Sequence, residues 1–328
     1  MSFKGWDQVV IRTKHGDVAG IAPVIISASR ATDIPALYPE WFMHRLRSGY
    51  VKWINRFSGR PTYVSFEKTR AIVFWTKNAS PIMEHLPEIE GKKINYYFTF
   101  TLNDYEREGL EPNLLPLASR TAIFKRLSDR IGRHRVVWRV DPLILSRTLT
   151  PERILSKIYG VGREIHDHTE KLVISFIDIR RYKKVIQNLA AAGLQDVREF
   201  TQDSMIEIAR GLQEMGRQWN LAIATCAETI DLSPFGIGHN KCIDDGIMRR
   251  AFGGDAALLD FLGPAPETPK DPGQRPACGC IPSKDIGQYN TCKHLCAYCY
   301  ANSSPKAVRE NFQRHKSCPE FSEAILSD

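Results

Sequence analysis

The sequence predicts an α/β protein: a (β/α) barrel of parallel strands, closed or incomplete, carrying a C-terminal cysteine-rich segment. Three observations predict it. Short, near-continuous apolar runs alternate with amphipathic stretches along most of the 328 residues, the pattern of strands buried on both faces between helices. No Gly-rich phosphate fingerprint follows the first run, which argues against the open doubly wound sheet that is the competing architecture. Beyond Gly263 the composition changes, and five of the eight cysteines fall within residues 278–299.

Residues 8–22 read as two extended runs around His15-Gly16-Asp17, a hairpin ahead of the main fold. Strands are expected at 24–27, 51–55, 71–75, 96–102, 135–140, 172–177 and 221–225, all rich in β-branched and aromatic residues. Helices are expected between most of them, at 39–48, 81–86, 117–131, 151–164, 182–192 and 203–218. Thr150 before Pro151 is an N-cap followed by proline at the first helical position. Residues 263–277 hold five prolines, too many for a helix or a central strand, and read as a semi-rigid spacer. The chain thus divides into a barrel-like catalytic domain at 1–262, a linker at 263–277 and a cysteine-rich segment at 278–328 packed on the barrel. That segment has an extended stretch at 284–289 and a final helix from Ser304-Pro305 to His315. No internal repeat or low-complexity tract interrupts this order.

With 43% hydrophobic and 25% charged residues the chain has the composition of a globular protein. No run approaches the roughly 18 apolar residues of a membrane helix, and the opening MSFKGWD lacks the apolar core of a signal peptide. A cytoplasmic enzyme without a membrane partner is the expectation, and in a reducing compartment crowded cysteines point to metal rather than disulfides. The net charge of +8 and pI of 9.0 suit an anionic substrate or a nucleic acid. Basic runs at 126–135, with Arg130 and Arg133, and at 180–184 would track phosphates if they share a face; the alternative is solvated helix ends.

The stretch 292–300 reads C-K-H-L-C-A-Y-C-Y. Cys292, Cys296 and Cys299 on one short loop can all face one metal centre, and thiolates select iron-sulfur clusters, zinc or cuprous copper. Structural zinc is closed by four ligands, with Cys278 or Cys280 available as a fourth, whereas a local trio leaves one iron of a four-iron cluster open to substrate. His294 within the loop and His239 before Cys242 are ligand or supporting candidates; His166 and His168 have no partner spacing.

The trio, with Tyr298 before its third cysteine, resembles the cluster motif of the radical S-adenosylmethionine (SAM) superfamily. The stretches ISASRATDIP (26–35), FWTKN (74–78), VWRVDP (137–142) and DIGQYNTC (285–292) are similar to an uncharacterised bacterial domain-of-unknown-function family with a C-terminal cysteine cluster of that kind. The resemblance implies that Cys292, Cys296 and Cys299 ligate a four-iron cluster, that SAM binds its open iron, and that Tyr298 lies near the adenine. One electron, from a donor such as flavodoxin or ferredoxin, would then cleave SAM to a 5′-deoxyadenosyl radical that takes hydrogen from the substrate. Superfamily members carry the motif after the first barrel strand. Its C-terminal position here implies a circular permutation, with Ser27, Ser29 and Asp33 replacing the Gly-Gly-Glu-like SAM contact to which Gly253-Gly254-Asp255 is the nearest match.

Polar residues cluster at the expected strand ends, where functional groups gather in parallel α/β proteins. Arg30, Asp33, Lys77, Asn78, Arg139, Asp141 and Glu228 are the candidates there for holding SAM or substrate. Cys226, Cys242, Cys278 and Cys280 form a second set, either a further iron-sulfur cluster or zinc site, or small buried residues; Cys318 is left over. Two other functional classes share these features: a nucleic-acid-binding protein with a structural zinc or iron-sulfur site, and an iron-sulfur electron-transfer protein.

Overall fold

The computed structural model describes residues 3–180, 183–265, 268–317 and 322–326. Strands β1 (Asp7–Thr13) and β2 (Gly16–Ala22) form the expected hairpin, pairing antiparallel from Asp7↔Ala22 to Thr13↔Gly16. Strand β3 (Ile25–Ala28) then opens a second sheet. The chain returns to the first sheet with β4 (Tyr50–Ile54) and β5 (Pro61–Ser65), giving the order β1-β2-β5-β4. Here the expectation for 51–55 is corrected, because this run pairs antiparallel in the small sheet and not in the main one. No helix separates it from β5; Asn55 N donates to Arg60 O at 3.0 Å and Gly59 takes a positive φ of 67°, closing a hairpin that only neighbouring antiparallel strands can share.

The main sheet is completed by β6 (Ala71–Thr76), β7 (Asn95–Thr101), β8 (Val136–Leu143), β9 (Lys171–Phe176), β10 (Ala222–Thr225), β11 (Ile237–His239) and β12 (Lys284–Asp285). Its order is β11-β10-β9-β8-β7-β6-β3-β12, and every pairing is parallel. The α/β class and the parallel sheet are as expected, and six of the expected strands lie in it within three residues of their expected bounds. No pairing joins the edge strands β11 and β12, so the sheet is open along its hydrogen bonds. The strand formed last in the chain lies beside the strand formed first. From β3 to β11 spatial order follows chain order.

Helices Pro39–Ser48 and Leu117–Ile131 match their expected bounds, and Pro151–Ile165 is capped by Thr150, whose Oγ1 accepts from Arg153 N at 3.3 Å. Thr201 caps Gln202–Trp219 in the same way. Lys183–Ala191 covers the described part of the helix expected from 182. The helix expected at 81–86 is instead two, Ser80–Met83 and Leu86–Gly91, because Pro81 and Pro87 each favour a first turn. The short helices Ile34–Leu37, Asp245–Ala251 and Ala256–Leu262 were not foreseen. No described helix is long and apolar enough to cross a membrane.

Alternating strand residues separate two cores. Ile26, Ile72, Phe74, Phe98, Trp138 and Ile174 pack in the larger cluster with the helices. Ile25, Ala71, Val73, Tyr97, Val137 and Val173 pack with Cys242, Ile243, Met248, Phe252, Cys278, Cys280 and Ile281. Residues from Cys242 to Ile281 thus fill the second face of the sheet, while Ile286 and Ile325 return to the first cluster. The described residues of the proline-rich stretch 263–277 form no helix or strand, as expected. The final helix, Pro305–Ser317, carries the cysteine segment back against Pro39–Ser48: Tyr38 OH donates to Thr291 O at 2.6 Å and Trp41 Nε1 to Ser322 O at 3.0 Å.

Candidate metal centre

The loop that bears Cys292, Cys296 and Cys299 leaves β12 at the carboxyl end of the main sheet, and β12 itself is only two residues long. Side chains from the neighbouring loops fix it in place. Asp285 accepts at Oδ2 from Ser27 Oγ at 2.9 Å and from Arg30 N at 2.8 Å, tying the strand to the end of β3. Asp33 accepts three bonds: from Ala36 N at 3.0 Å as a helix cap, from Lys77 N at 2.7 Å, and from His294 Nε2 at 2.8 Å. The last of these clamps the cysteine loop to the loops after β3 and β6. His294 therefore bonds a carboxylate, and His239 is exposed on β11.

The three thiols interact with one another and are surrounded by charge. Burial pushes Cys292 up to about 12, with Cys299 and Asp33 adding to it, while the backbone amides of His294 and Asp33 favour its thiolate. Burial likewise raises Cys296, against Lys77. Cys299 is raised by burial too, and the amides of Ala301 and Asn302 oppose the shift. Backbone N–H groups aimed at sulfur, with a buried lysine alongside, suit anionic thiolates held on a metal.

Tyr298 is the hub of a second network. Its hydroxyl donates to Glu111 Oε1 and accepts from Lys77 Nζ at 2.8 Å and Asn103 Nδ2 at 3.0 Å. Glu111, buried in the loop after β7, also pairs with Lys77 Nζ at 2.8 Å and with Arg120 at 3.4 Å. Burial alone would raise the Glu111 carboxyl, and the two cations outweigh it and hold it below the usual range. Glu111 and Arg120 were not singled out from the sequence, and Asn103 stood out only as a polar residue at the end of a strand. Glu111 lies in the polar stretch after β7 and Arg120 on the helix Leu117–Ile131.

Arg139 is 2% exposed, donates from Nη1 to Cys242 Sγ at 2.9 Å and pairs through Nη2 with Asp141. Asp141 also accepts from Ser175 Oγ, and its backbone N donates to Asn103 Oδ1 at 3.1 Å. Trp75 lies between two guanidiniums, Arg30 and Arg139, each 5.2 Å from its ring, and donates to Ser27 Oγ. Ser29 accepts from Ala31 N, and Asn78 caps the turn into Ser80–Met83. Glu228 accepts from Phe176 N at 2.9 Å, and burial raises its carboxyl to about 7.

All seven described cysteines are free thiols; Cys318 lies outside the described residues. Cys226 and Cys242 stand 3.4 Å apart. Among the described residues no three Cys, His, Asp or Glu side chains surround a single ion-sized point. A family profile described as a domain of unknown function, DUF1848, matches residues 25–301, from the first strand of the main sheet through the cysteine loop. The chain belongs to this DUF1848 family. The matched DUF1848 region includes every candidate residue named for either thiol set. Searches of curated proteins and of solved structures found no match.

In the basic run 126–135, Arg130 pairs with Glu90 at 2.7 Å and Arg133 with Glu170 at 3.4 Å, while Arg126 donates to Ser80 Oγ and Arg135 to Ile131 O. His166 stacks on Trp219 and His168 faces Asp129.

Proposed function

We propose that this protein is a cytoplasmic radical SAM-type enzyme whose first centre is held by Cys292, Cys296 and Cys299. The observation that carries this reading is the trio itself: three free thiols on one loop that leaves a strand at the carboxyl end of a parallel sheet. A cluster gives each thiolate its own iron, so its sulfurs need not surround one point as zinc ligands must. Sheet order adds support. With β12 beside β3, the cysteine loop and the following helix take the place of a first strand, loop and helix in a sequentially wound sheet. That is the arrangement a circular permutation of the superfamily order would produce.

When bound, a four-iron cluster with SAM on its open iron would supply reductive cleavage of SAM and hydrogen abstraction. The chain's part is binding and orientation. Asp33 holds the loop through His294, Lys77 sits against Cys296 and Tyr298, and Arg30, Arg139 and Asp141 line the adjoining sheet ends. The test is electron paramagnetic resonance of anaerobically prepared, dithionite-reduced protein with and without SAM. A four-iron signal component that changes on adding SAM, and is lost in Cys296→Ala, is the expected result. A cluster signal of which no component responds to SAM would leave an electron-transfer protein, and zinc without a paramagnetic signal would leave a metal-stapled binding protein; either overturns the proposal.

A further inference from the structure

The second set of cysteines is drawn from three separate segments: Cys226 follows β10, Cys242 follows β11, and Cys278 and Cys280 follow the proline-rich stretch. Folding nevertheless brings them into one row. Cys226 Sγ and Cys242 Sγ are 3.4 Å apart, Cys242 interacts with Cys280, and Cys280 with Cys278. Cys242, Cys278 and Cys280 are buried among Ile243, Ile247, Ile281, Val73 and Val137.

What surrounds the sulfurs is not what a space-filling cysteine needs. A neutral thiol is a weak acceptor, yet Cys242 Sγ receives Arg139 Nη1 at 2.9 Å and Asn240 Nδ2 at 3.0 Å. Cys280 Sγ receives the backbone amides of Cys242 at 3.2 Å and Ile243 at 3.4 Å, with Arg30 beside it. Arg30 Nη2 is buried with no hydrogen-bond partner. Two guanidiniums and three further N–H donors directed at sulfur compensate the negative charge of metal-bound thiolates, as hydrogen bonds to sulfur do in iron-sulfur proteins. The turn between Cys278 and Cys280 is held close, since a Cβ on Gly279 would stand 3.0 Å from Lys241 Cγ.

We propose that Cys226, Cys242, Cys278 and Cys280 form a second metal centre, closed by four thiolates and of the iron-sulfur type. Four thiols gathered from three segments, with N–H donors directed at two of them, match the four-cysteine ligation and sulfur hydrogen bonding of iron-sulfur clusters. Four protein thiolates leave no open iron, so this centre binds no substrate through metal. It does adjoin the first one. A continuous hydrogen-bonded path runs from Cys242 through Arg139, Asp141 and Asn103 to Tyr298 in the first cysteine loop.

The proposal stands apart from the SAM reading, and its test separates the two. Protein reconstituted anaerobically with ferrous iron and sulfide would be compared with Cys292→Ala/Cys296→Ala/Cys299→Ala and with Cys226→Ala/Cys242→Ala. Iron, acid-labile sulfide and zinc per chain are measured, with circular dichroism reporting the fold. The triple variant is expected to retain iron, sulfide and visible absorbance, and the double variant to lose that share while keeping the rest. Loss of all iron and sulfide from a folded triple variant overturns the proposal, and so does its retention of zinc alone. If the triple variant does not fold, the comparison of parent with the double variant and with Cys278→Ser decides. Equal iron and sulfide in all three would show that the second set holds none.

Discussion

Gly287 lies where β12 runs into the cysteine loop, and a substitution there tests how closely that segment is seated. A Cβ built on Gly287 would overlap Ser29 Oγ and stand 2.5 Å from Ser29 Cβ, at the end of β3. Rotating the serine would move its hydroxyl but forfeit its bond from Ala31 N at 2.9 Å. The Ser29 Cβ is fixed to its backbone, so the two chains must separate. That separation would strain the bonds flanking the contact, Gly287 N to Asp285 Oδ1 at 2.9 Å and Trp53 Nε1 to Gly287 O at 3.0 Å. Inserting one methyl group into a packed site of this kind costs about 1–3 kcal/mol.

Urea unfolding of Gly287→Ala should therefore show a loss in that range. A cycle with Ser29→Gly isolates the cause, because that change removes both clashing atoms. The double variant should be more stable than the sum of the single losses predicts, by about 1 kcal/mol or more. A Gly287→Ala protein within about 0.5 kcal/mol of the parent, or strictly additive losses, would refute the close seating of β12 against β3.

Two more predictions concern the buried polar groups. Glu111→Gln leaves Lys77 and Arg120 without their carboxylate, and removing one partner of a buried pair costs about 3–5 kcal/mol; a loss below about 1 kcal/mol in urea would show that water replaces the carboxylate. His315 packs edge-on against Tyr38 with ring centroids 4.7 Å apart, and its Nδ1 donates to Ile325 O at 3.0 Å. Burial holds its pKa below the usual 6.5. The unfolded chain therefore binds the proton more readily, and the contribution present above pH 6.5 is lost as pH falls below it. His315→Gln should show a smaller decrease in urea midpoint between pH 7 and pH 5 than the parent, and an unchanged slope would remove His315 from the account.

How much of this was legible in the sequence depended on whether a feature is local. Periodicity located the strands of the main sheet, since burial on both faces makes β6 to β10 continuous apolar runs that any window detects. The run Tyr50–Ile54 looks the same and belongs to the other sheet, because its partner is set by the hairpin at Asn55–Arg60 rather than by its own composition. Strand β11 has three residues, and two of them, Gly238 and His239, are exposed, which leaves no apolar signature. At the site, the spacing of Cys292, Cys296 and Cys299 was visible because the residues share one loop. Glu111 was not, because its partners Lys77, Arg120 and Tyr298 come from three other parts of the chain and only folding brings them together. The cysteines at 226, 242, 278 and 280 were visible as a count but not as a row.

The cysteine loop takes little of its shape from backbone pairing. Its strand contributes two residues to the sheet, and its other attachments include single anchors from loops at the strand ends: Asp285 to Ser27 and Arg30, His294 to Asp33, Tyr298 to Lys77 and Glu111, and Ala297 N to Leu110 O at 2.9 Å. The anchors come from the carboxyl ends of three strands, β3, β6 and β7. A sheet of eight parallel strands with two packed faces does not depend on any one of them, so losing an anchor should shift the loop while the sheet stays folded. The anchors, being distant in sequence, tie the last part of the chain to the first.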